Sequence, residues 1–187
     1  MPFTFQKTAI PAVVLVEYQA FPDTRGSFAE FFKASDFAAA GLPTDFVQEN
    51  FSTSVGSVLR GLHYQKEPYA QGKLVMAVHG QIFDVAVDIR RGSPTFGKWV
   101  GEVLSQENRR MLWVPEGFAH GFCVLSPTAD VLYRVTGGEY AASAERGIIW
   151  SDPEVAIHWP VHKPLATDRD LNHPCLKDAD INFVYRT

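Results

Sequence analysis

The 187-residue sequence contains only two cysteines, Cys123 and Cys175, and they do not form a CxxC pair. A disulfide framework needs several cysteines at regular spacings, and a structural zinc site needs a cluster of cysteine or histidine ligands. The sequence therefore indicates neither. Cys123 lies in the apolar run 121–125, which favours a buried free thiol.

Long hydrophobic runs and excess positive charge are also missing. No apolar run could span a membrane, and the first ten residues lack the basic-then-apolar pattern of a signal peptide. The formal net charge of −4 disfavours a surface that binds nucleic acid. We therefore expect a cytoplasmic protein with no nucleic-acid or membrane partner. A small anionic ligand stays open, because a few arginines suffice to bind one.

Short alternating or apolar runs, separated by Gly, Pro, Asn and Asp, dominate the sequence. This pattern predicts an all-β sandwich or barrel, and the length suits one domain over 1–187. A short helix is expected at 35–40, with Ser35 as N-cap and Gly41 at its end, and another at 171–180, where Pro174 would break it. The predicted strands are 12–18, 27–32, 46–54, 58–65, 73–79, 81–90, 98–104, 110–114, 120–125, 130–136 and 147–151.

The segment 73–90 has two β-rich runs on either side of Gly80, which predicts a hairpin. In that register Lys73, Val75, Asp84 and Ala86 share one face, and the other face is wholly apolar. The mixed face suits a solvated outer surface and a ligand site equally well.

A second alternation places Gln48, Asn50 and Ser52 on one face of a strand. Uncharged polar groups in a row make a good wall for a ligand site. An ordinary exposed face explains them equally well.

Two of the six histidines, His63 and His120, lie beside glycines in β-like runs. His79 suits a turn, and His158, His162 and His173 are expected to be surface or packing residues. His120 ends a PxGxxH segment at 115–120, which is typical of cupin-type jelly-roll barrels. Metal-binding cupins also carry an HxH pair, but here Gln65 replaces its second histidine. His63, His120 and Asp84 make a poor metal set, so we predict no metal.

Without a metal, the polar residues suit proton transfer. Imidazole exchanges protons near neutral pH, and a carboxylate beside it fixes its tautomer. Lysine can stabilise an enolate, and tyrosine can donate a proton. Such a set can remove a proton next to a ketone and return it on the other face.

The chain resembles the dTDP-4-dehydrorhamnose 3,5-epimerase family from about residue 10 to residue 170. The resemblance implies a cupin-type double-stranded β-helix with short peripheral helices. The matching segments are DxRGxFxE at 23–30, QxNxS at 48–52, VLRGLHYQ at 58–65, QGKLV at 71–75, FDVAVDIR at 83–90, SPTFG at 93–97 and PxGFAHGF at 115–122.

The resemblance also implies residue roles. His63 would be the general base, paired with Asp170, and Tyr133 the general acid on the opposite face of the sugar. Lys73 would stabilise the enolate oxygen at C4, Arg60 would grip the diphosphate, and Tyr140 would stack on the thymine. The remaining residues implied to contact the substrate are Arg25, Phe28, Glu30, Gln48, Glu49, Asn50, His120, Glu145 and Arg169.

The implied activity is epimerisation at C3 and C5 of dTDP-4-dehydro-6-deoxy-glucose, without a cofactor. The alternatives are a C3-only epimerase or ketoisomerase of a related dTDP-4-keto-6-deoxy sugar, and a non-catalytic cupin that binds a sugar nucleotide. The family also implies a homodimer whose N-terminal strands cross, so that Arg25 and Glu30 serve the partner's site. In the sequence, the run 12–18 supports this only because it is too apolar for an exposed edge.

Three features depart from a simple match. Strict alternation puts Arg60 and His63 on opposite faces of a strand, so either Gly61 marks a bulge or the diphosphate lies at the rim. The segment 136–140 has one residue inserted and one aromatic missing relative to the family pattern. Arg169 stands where lysine is usual, which keeps the charge and changes the geometry.

Overall fold

The computed structural model describes residues 2–186, which form thirteen strands and three short helices. The strands are β1 (Phe3–Lys7), β2 (Val14–Tyr18), β3 (Ala20–Asp23), β4 (Gly26–Ala29), β5 (Gln48–Val55), β6 (Leu59–Gln65), β7 (Gln71–His79), β8 (Gln81–Asp88), β9 (Trp99–Ser105), β10 (Arg110–Val114), β11 (Phe118–Val124), β12 (Thr128–Gly137) and β13 (Glu145–Gly147). The helices are α1 (Ala34–Ala39), α2 (Asp168–Leu171) and a 3-10 turn (Leu176–Asp178).

Two antiparallel sheets face each other and confirm the all-β barrel that the sequence predicts. One has the order β1-β2-β10-β7-β12-β5, and the other β13-β6-β11-β8-β9. β3 and β4 form a separate hairpin. The central core lies between the sheets, where Val75, Ala86, Leu104, Leu112 and Phe118 are buried together. Side chains that alternate inward along each strand therefore make both the core and, where they are polar, the site.

The outward faces of the sheets are covered as well. Leu74 and Met76 pack with Phe37 of α1, and Val85 and Val87 pack under the C-terminal segment. The apolar face predicted for 73–90 is thus buried. Its β7 part lies under α1, and its β8 part lies under the C-terminal segment. None of the described helices is long and apolar enough to cross a membrane.

The predicted hairpin between β7 and β8 is wrong, because the two strands belong to different sheets. Gly80 (φ +70°) carries the chain from one sheet to the other. The inward faces nevertheless agree with the prediction, since Val75 and Ala86 both lie in the central core. Asp84 is completely buried, so the solvated-surface interpretation is excluded. Lys73 and Asp84 enter the interior from opposite walls rather than side by side.

Most predicted strands overlap observed ones, and the differences lie at the ends and in the peripheral elements. β1 and β3 were not predicted, and the strand expected at 147–151 meets β13 only at Gly147. Ser35 is not the N-cap of α1, since Lys33 occupies that position without a side-chain cap. Gly41 (φ +74°) does follow the helix, and the predicted second helix is indeed broken around Pro174.

The apolar run 12–18 is not an edge. β2 pairs with β1 on one side and with β10 on the other, and β1 forms the edge of the sheet. The sequence argument that this run needs a partner subunit is therefore wrong, because the chain covers the run itself. Cys123 is buried and free, as predicted, and burial raises the pKa of its thiol to about 12.

Candidate active site

Two adjoining cavities of about 330 and 300 Å³ lie between the sheets and share His63, Lys73 and Tyr133. The first is lined by Ser52, Arg60, His63, Lys73, His120, Phe122, Tyr133, Thr167, Arg169 and Asp170. The second adds Gln48, Asn50, Tyr64, Gln65, Gln71, Tyr140 and Glu145. The structure thus brings together all four predicted catalytic residues and seven of the predicted binding residues.

A β-bulge in β6 places Arg60 and His63 on the same side. His63 pairs with His120 and Arg60 pairs with Phe122, so β6 contains one extra residue opposite β11. Gly61 occupies the bulge with φ +120°. A Cβ there would lie 2.6 Å from Gly121 Cα, so only glycine fits. The bulge predicted as one of two alternatives is confirmed.

His63 and Asp170 form a short hydrogen bond, with 2.6 Å between Nε2 and Oδ1. Asp170 lies in α2, whose N-cap Thr167 accepts a hydrogen bond from the Asp170 backbone N–H. An ionised carboxylate only accepts, so His63 donates from Nε2 and its Nδ1 keeps a free lone pair. Burial alone would raise the pKa of Asp170, but the contact with His63 holds it below its usual value. This arrangement suits a general base.

Lys73 enters from the opposite sheet. Burial lowers the pKa of its ammonium from 10.5 to about 8, although Asp84 and Glu145 oppose the shift. Lys73 is therefore still mostly protonated at pH 7. A cation held in an enclosed site interacts strongly with a developing negative charge.

Asp84 and His120 form a second buried pair, with 2.7 Å between Oδ1 and Nε2. Asp84 Oδ2 has no hydrogen-bond partner among residues 2–186. Its negative charge favours the protonated form of Lys73. The pair therefore supplies both an imidazole on the cavity wall and a counter-charge for Lys73.

Tyr133 projects into the cavity from β12, opposite the wall that carries His63. Burial raises the pKa of its phenol, and Glu145 raises it further, while Arg60 acts in the other direction. The phenol is thus protonated at neutral pH. It can donate a proton from the face opposite His63.

Glu145 organises one side of the cavity. Its Oε2 accepts a hydrogen bond from the Tyr140 hydroxyl at 2.7 Å and lies 2.9 Å from Arg169 Nη2. Burial would raise the pKa of Glu145, but these two contacts hold it below its ordinary value. Gln48 Oε1 accepts from the Tyr140 backbone N–H at 3.0 Å. Tyr140 and Arg169 are therefore held in place by neighbouring residues, with the Tyr140 ring exposed.

Gln65 anchors the segment that departs from the family pattern. Its Nε2 donates to the carbonyls of Tyr69 and Glu139, and its Oε1 accepts from the N–H of Ala141. The side chain is buried, and these bonds satisfy it. The residue that replaces a cupin metal ligand thus fixes the loop that carries Tyr140.

Four predicted substrate contacts lie outside the cavity of this chain. Alternation along β5 turns Glu49 outward, where it pairs with Arg134 at 2.7 Å. Arg25 is exposed and pairs with Asp23. Phe28 lies on the projecting β3–β4 hairpin, and Glu30 follows it.

His173, expected as a surface or packing residue, lies beside the His63–Asp170 pair. Its Nε2 is 3.6 Å from Asp170 Oδ1, and its ring is edge-on to His63 with 5.6 Å between centroids. Burial lowers the pKa of His173, and the nearby His63 lowers it further. A side chain at Gly147 would collide with this ring. No local signal in the sequence identifies it, because α2, which carries Asp170, ends at Leu171 and His173 lies beyond that helix.

Within residues 2–186, the group of three potential metal ligands is His63, Asp170 and His173, whose ligand atoms lie within 4.8 Å of one another. The set considered from sequence, His63 with His120 and Asp84, does not form such a group. Two ligands of a tetrahedral zinc ion stand roughly 3.3 Å apart, given bonds of about 2.0–2.1 Å. The 2.6 Å contact between His63 and Asp170 is instead a hydrogen bond.

Comparisons with known proteins point the same way. A family model described as dTDP-4-dehydrorhamnose 3,5-epimerase matches residues 7–178. Two relatives named dTDP-4-dehydrorhamnose 3,5-epimerase come from Shigella flexneri and Pseudomonas aeruginosa. They are 57% and 53% identical over 93% of this chain and 96% of each relative.

A solved structure gives the same result. The dTDP-6-deoxy-D-glucose-3,5-epimerase of Legionella pneumophila, in complex with dTDP-4-keto-L-rhamnose, superposes with a TM-score of 0.95. It is 43% identical, and the match covers 99% of this chain and 100% of that one. This likeness confirms the predicted cupin-type fold.

Proposed function

Because the chain belongs to the dTDP-4-dehydrorhamnose 3,5-epimerase family, we propose that it inverts C3 and C5 of dTDP-4-dehydro-6-deoxy-glucose. The product is dTDP-4-dehydro-L-rhamnose, so the enzyme is an isomerase. One observation carries the proposal at the level of chemistry. His63, its partner Asp170, Tyr133 and Lys73 line one cavity, with the base and the acid on opposite walls.

The proposed reaction begins with His63. The C4 ketone acidifies the hydrogens at C3 and C5, and Nδ1 of His63 takes one of them. Asp170 stabilises the imidazolium that forms. The Lys73 ammonium stabilises the enolate oxygen at C4, which gains the electron pair of the broken C–H bond. Tyr133 then donates a proton to the same carbon from the opposite face, which inverts it.

One base and one acid serve both carbons in turn when the sugar shifts between the two steps. The ketone is regenerated each time, so the sugar is neither oxidised nor reduced. The proton balance requires that Tyr133 be reprotonated and His63 be deprotonated, either by solvent or by each other through water. We propose no cofactor for this cycle.

We propose that the nucleotide part of the substrate lies along the other cavity-lining residues. Arg60 and Arg169 supply positive charge for a diphosphate, and guanidinium groups bind phosphate oxygens in pairs. Tyr140 offers an exposed ring for stacking on the thymine, while Glu145 holds its hydroxyl. Gln48, Asn50 and His120 line the walls between them.

We further propose that the active form is a homodimer. The β3–β4 hairpin leaves Phe28 66% exposed, and the outer face of β5 leaves Phe51 61% exposed. Aromatic side chains are enriched at protein–protein interfaces, so these two positions suit a dimer contact. In such a dimer Arg25, Phe28 and Glu30 would reach the partner's cavity. A cytoplasmic location is part of the same proposal, because the substrate is a nucleotide sugar.

The test is NMR of dTDP-4-dehydro-6-deoxy-glucose incubated with the purified chain in heavy water. Deuterium at both C3 and C5, together with the L-rhamno product, is the expected result. Deuterium at C3 alone would replace the double epimerase with the C3-only alternative. No deuterium, with tight binding of the nucleotide sugar, would leave only the non-catalytic binding protein.

A further inference from the structure

We propose that His63, Asp170 and His173 form a binding site for a divalent transition-metal ion such as Zn²⁺, and that an ion bound there switches the catalytic base off. The three residues offer two imidazole nitrogens and a carboxylate oxygen, all within 4.8 Å of one another. Two histidines and one carboxylate form a known three-ligand set for zinc, with a fourth position left for water.

His173 provides the observation that is independent of this spacing. Its Nε2 is buried and has no hydrogen-bond partner among residues 2–186. Buried polar atoms are almost always satisfied, and an imidazole nitrogen that is not calls for an explanation. A metal ion would give this nitrogen a partner. His173 plays no part in the proposed proton transfer, so it turns a catalytic pair into a three-ligand set without being required for catalysis.

The surrounding charges permit a cation. Asp170 is 4% exposed and contributes a negative charge, and the two imidazoles are neutral when they act as ligands. The positive charge of Arg169 acts against a cation at His173, but Glu145 offsets that charge from a distance of 2.9 Å. His63 and Asp170 also line the cavity, which leaves a path for the ion and room for its water ligand.

Binding requires the ligand side chains to shift. The Nε2–Oδ1 distance between His63 and Asp170 must open from 2.6 Å to roughly 3.3 Å, and both imidazoles must come within about 4.1 Å of each other to share one ion. The imidazole ligands favour zinc, cobalt, nickel or copper over magnesium and calcium, which prefer oxygen ligands.

The Asp84–His120 pair does not offer an equivalent site. It supplies two ligands, and the Lys73 ammonium interacts with Asp84. A metal ion there would face a buried positive charge. The difference between the two His–Asp pairs is His173.

The effect on catalysis rests on the proposed function. In the metal-free chain Nε2 of His63 carries the proton and Nδ1 has the lone pair. An ion on Nε2 uses the lone pair of that nitrogen, so the proton must move to Nδ1. The nitrogen left for the substrate is then already protonated and cannot take another proton.

The experiment has a binding arm that does not depend on activity. The metal-free chain is titrated with Co²⁺, whose visible absorption reports coordination by protein ligands, and Zn²⁺ is used to displace it. The expected result is one ion per chain, with affinity at least about tenfold weaker in His173→Asn and His173→Phe. The second variant keeps a ring against Gly147 and so guards against a loss of packing. His162→Asn, at an exposed histidine, should bind cobalt normally.

A second arm measures isomerase activity with increasing Zn²⁺. The wild type should lose activity as Zn²⁺ is added and recover it on chelation. His173→Asn should need at least about tenfold more Zn²⁺ for the same loss of activity. The metal site is overturned if the wild type binds no cobalt, or if both His173 variants bind it as tightly. The switch is overturned if the ion binds without inhibition. An inactive wild type that binds cobalt through His173 contradicts the proposed function and leaves the metal site standing.

Discussion

Lys73 lies inside the barrel, where its ammonium is close to Asp84 and Glu145. Keeping this cation in the folded chain costs free energy, because burial disfavours the charged form and lowers its pKa to about 8. Between pH 8 and 10.5 the unfolded chain binds the proton more readily than the folded one. The contribution of Lys73 to stability therefore rises with pH across that window, and below it the group is destabilising.

Lys73→Met should thus stabilise the fold while it disables the enzyme. We expect the free energy of unfolding at pH 7 to rise by about 1–3 kcal/mol, measured by urea denaturation. Turnover should fall by about 10²–10⁴ because the enolate loses its cation. In the wild type kcat should also decline above about pH 8, as Lys73 loses its proton.

Lys98→Met is the matched control, since Lys98 is exposed. Its stability should change by no more than about 0.5 kcal/mol. A Lys73→Met variant less stable than the wild type at pH 7 would show that the ammonium is well compensated in the fold.

Tyr133 and His63 line the cavity from opposite walls, so replacing one or the other should affect the proposed reaction differently. Tyr133→Phe removes the proton donor and keeps the base. His63 can then remove a proton and return one to the same face. In heavy water we expect deuterium at C3 with the original configuration, while formation of the inverted sugar falls by about 10²–10⁴. Inverted product at the normal rate would remove Tyr133 from the acid role.

Among the elements, the bulge in β6 matters most for the site. Gly61→Ala places a Cβ 2.6 Å from Gly121 Cα and 2.7 Å from His120 O. Gly92→Ala is the control, because Gly92 also has a positive φ (+82°) but has nothing within 4 Å of such a Cβ. We expect thermal or urea unfolding to show a loss of about 1 kcal/mol in the control and at least about 3 kcal/mol in Gly61→Ala. Equal losses would mean that β6 can move away from β11.

The sequence predicted this bulge only as one of two alternatives, because alternation could show the conflict between Arg60 and His63 without resolving it. The hairpin predicted at Gly80 is wrong for a physical reason. A glycine between two β-rich runs can close a hairpin or pass the chain between sheets, and both give the same alternation. The inward faces of β7 and β8 were right because alternation does not depend on the strand's partner.

The peripheral elements were the least predictable. α1 begins without a side-chain cap, so Ser35 gave a misleading signal. The sequence shows that Gln65 replaces a metal ligand of cupins, whereas its hydrogen bonds to the 139–141 loop depend on long-range contacts. The place of His173 beside Asp170 depends on the turn after α2 and on the space above Gly147, and no local pattern encodes either.

At the scale of the whole molecule, the proposed dimer requires each active site to combine residues from both subunits. Arg25→Ala should disable the contribution of the β3–β4 hairpin, and His63→Asn should disable the base, so each homodimer should have low activity. If each hairpin serves the partner's site, a mixed dimer has one site with both an intact hairpin and an intact base. An equimolar mixture allowed to exchange subunits should then recover about a quarter of wild-type activity, because half of the dimers are mixed and each has one good site.

A mixture as inactive as its components would mean that Arg25 does not serve the partner's cavity. Light scattering of the separate variants and of the mixture checks that each is dimeric. A monomeric mass for the wild type would contradict the dimer itself.

The central claim is that His63, held by Asp170, removes the proton next to the ketone. The most direct measurement is the rate of deuterium incorporation at C3 and C5 by wild type and His63→Asn, with dTDP affinity measured on the same samples. Asparagine can still donate to Asp170 but cannot act as a base. We predict that exchange at both carbons falls by at least about 10³ while dTDP affinity changes less than about threefold. Exchange at the wild-type rate in His63→Asn would contradict the account.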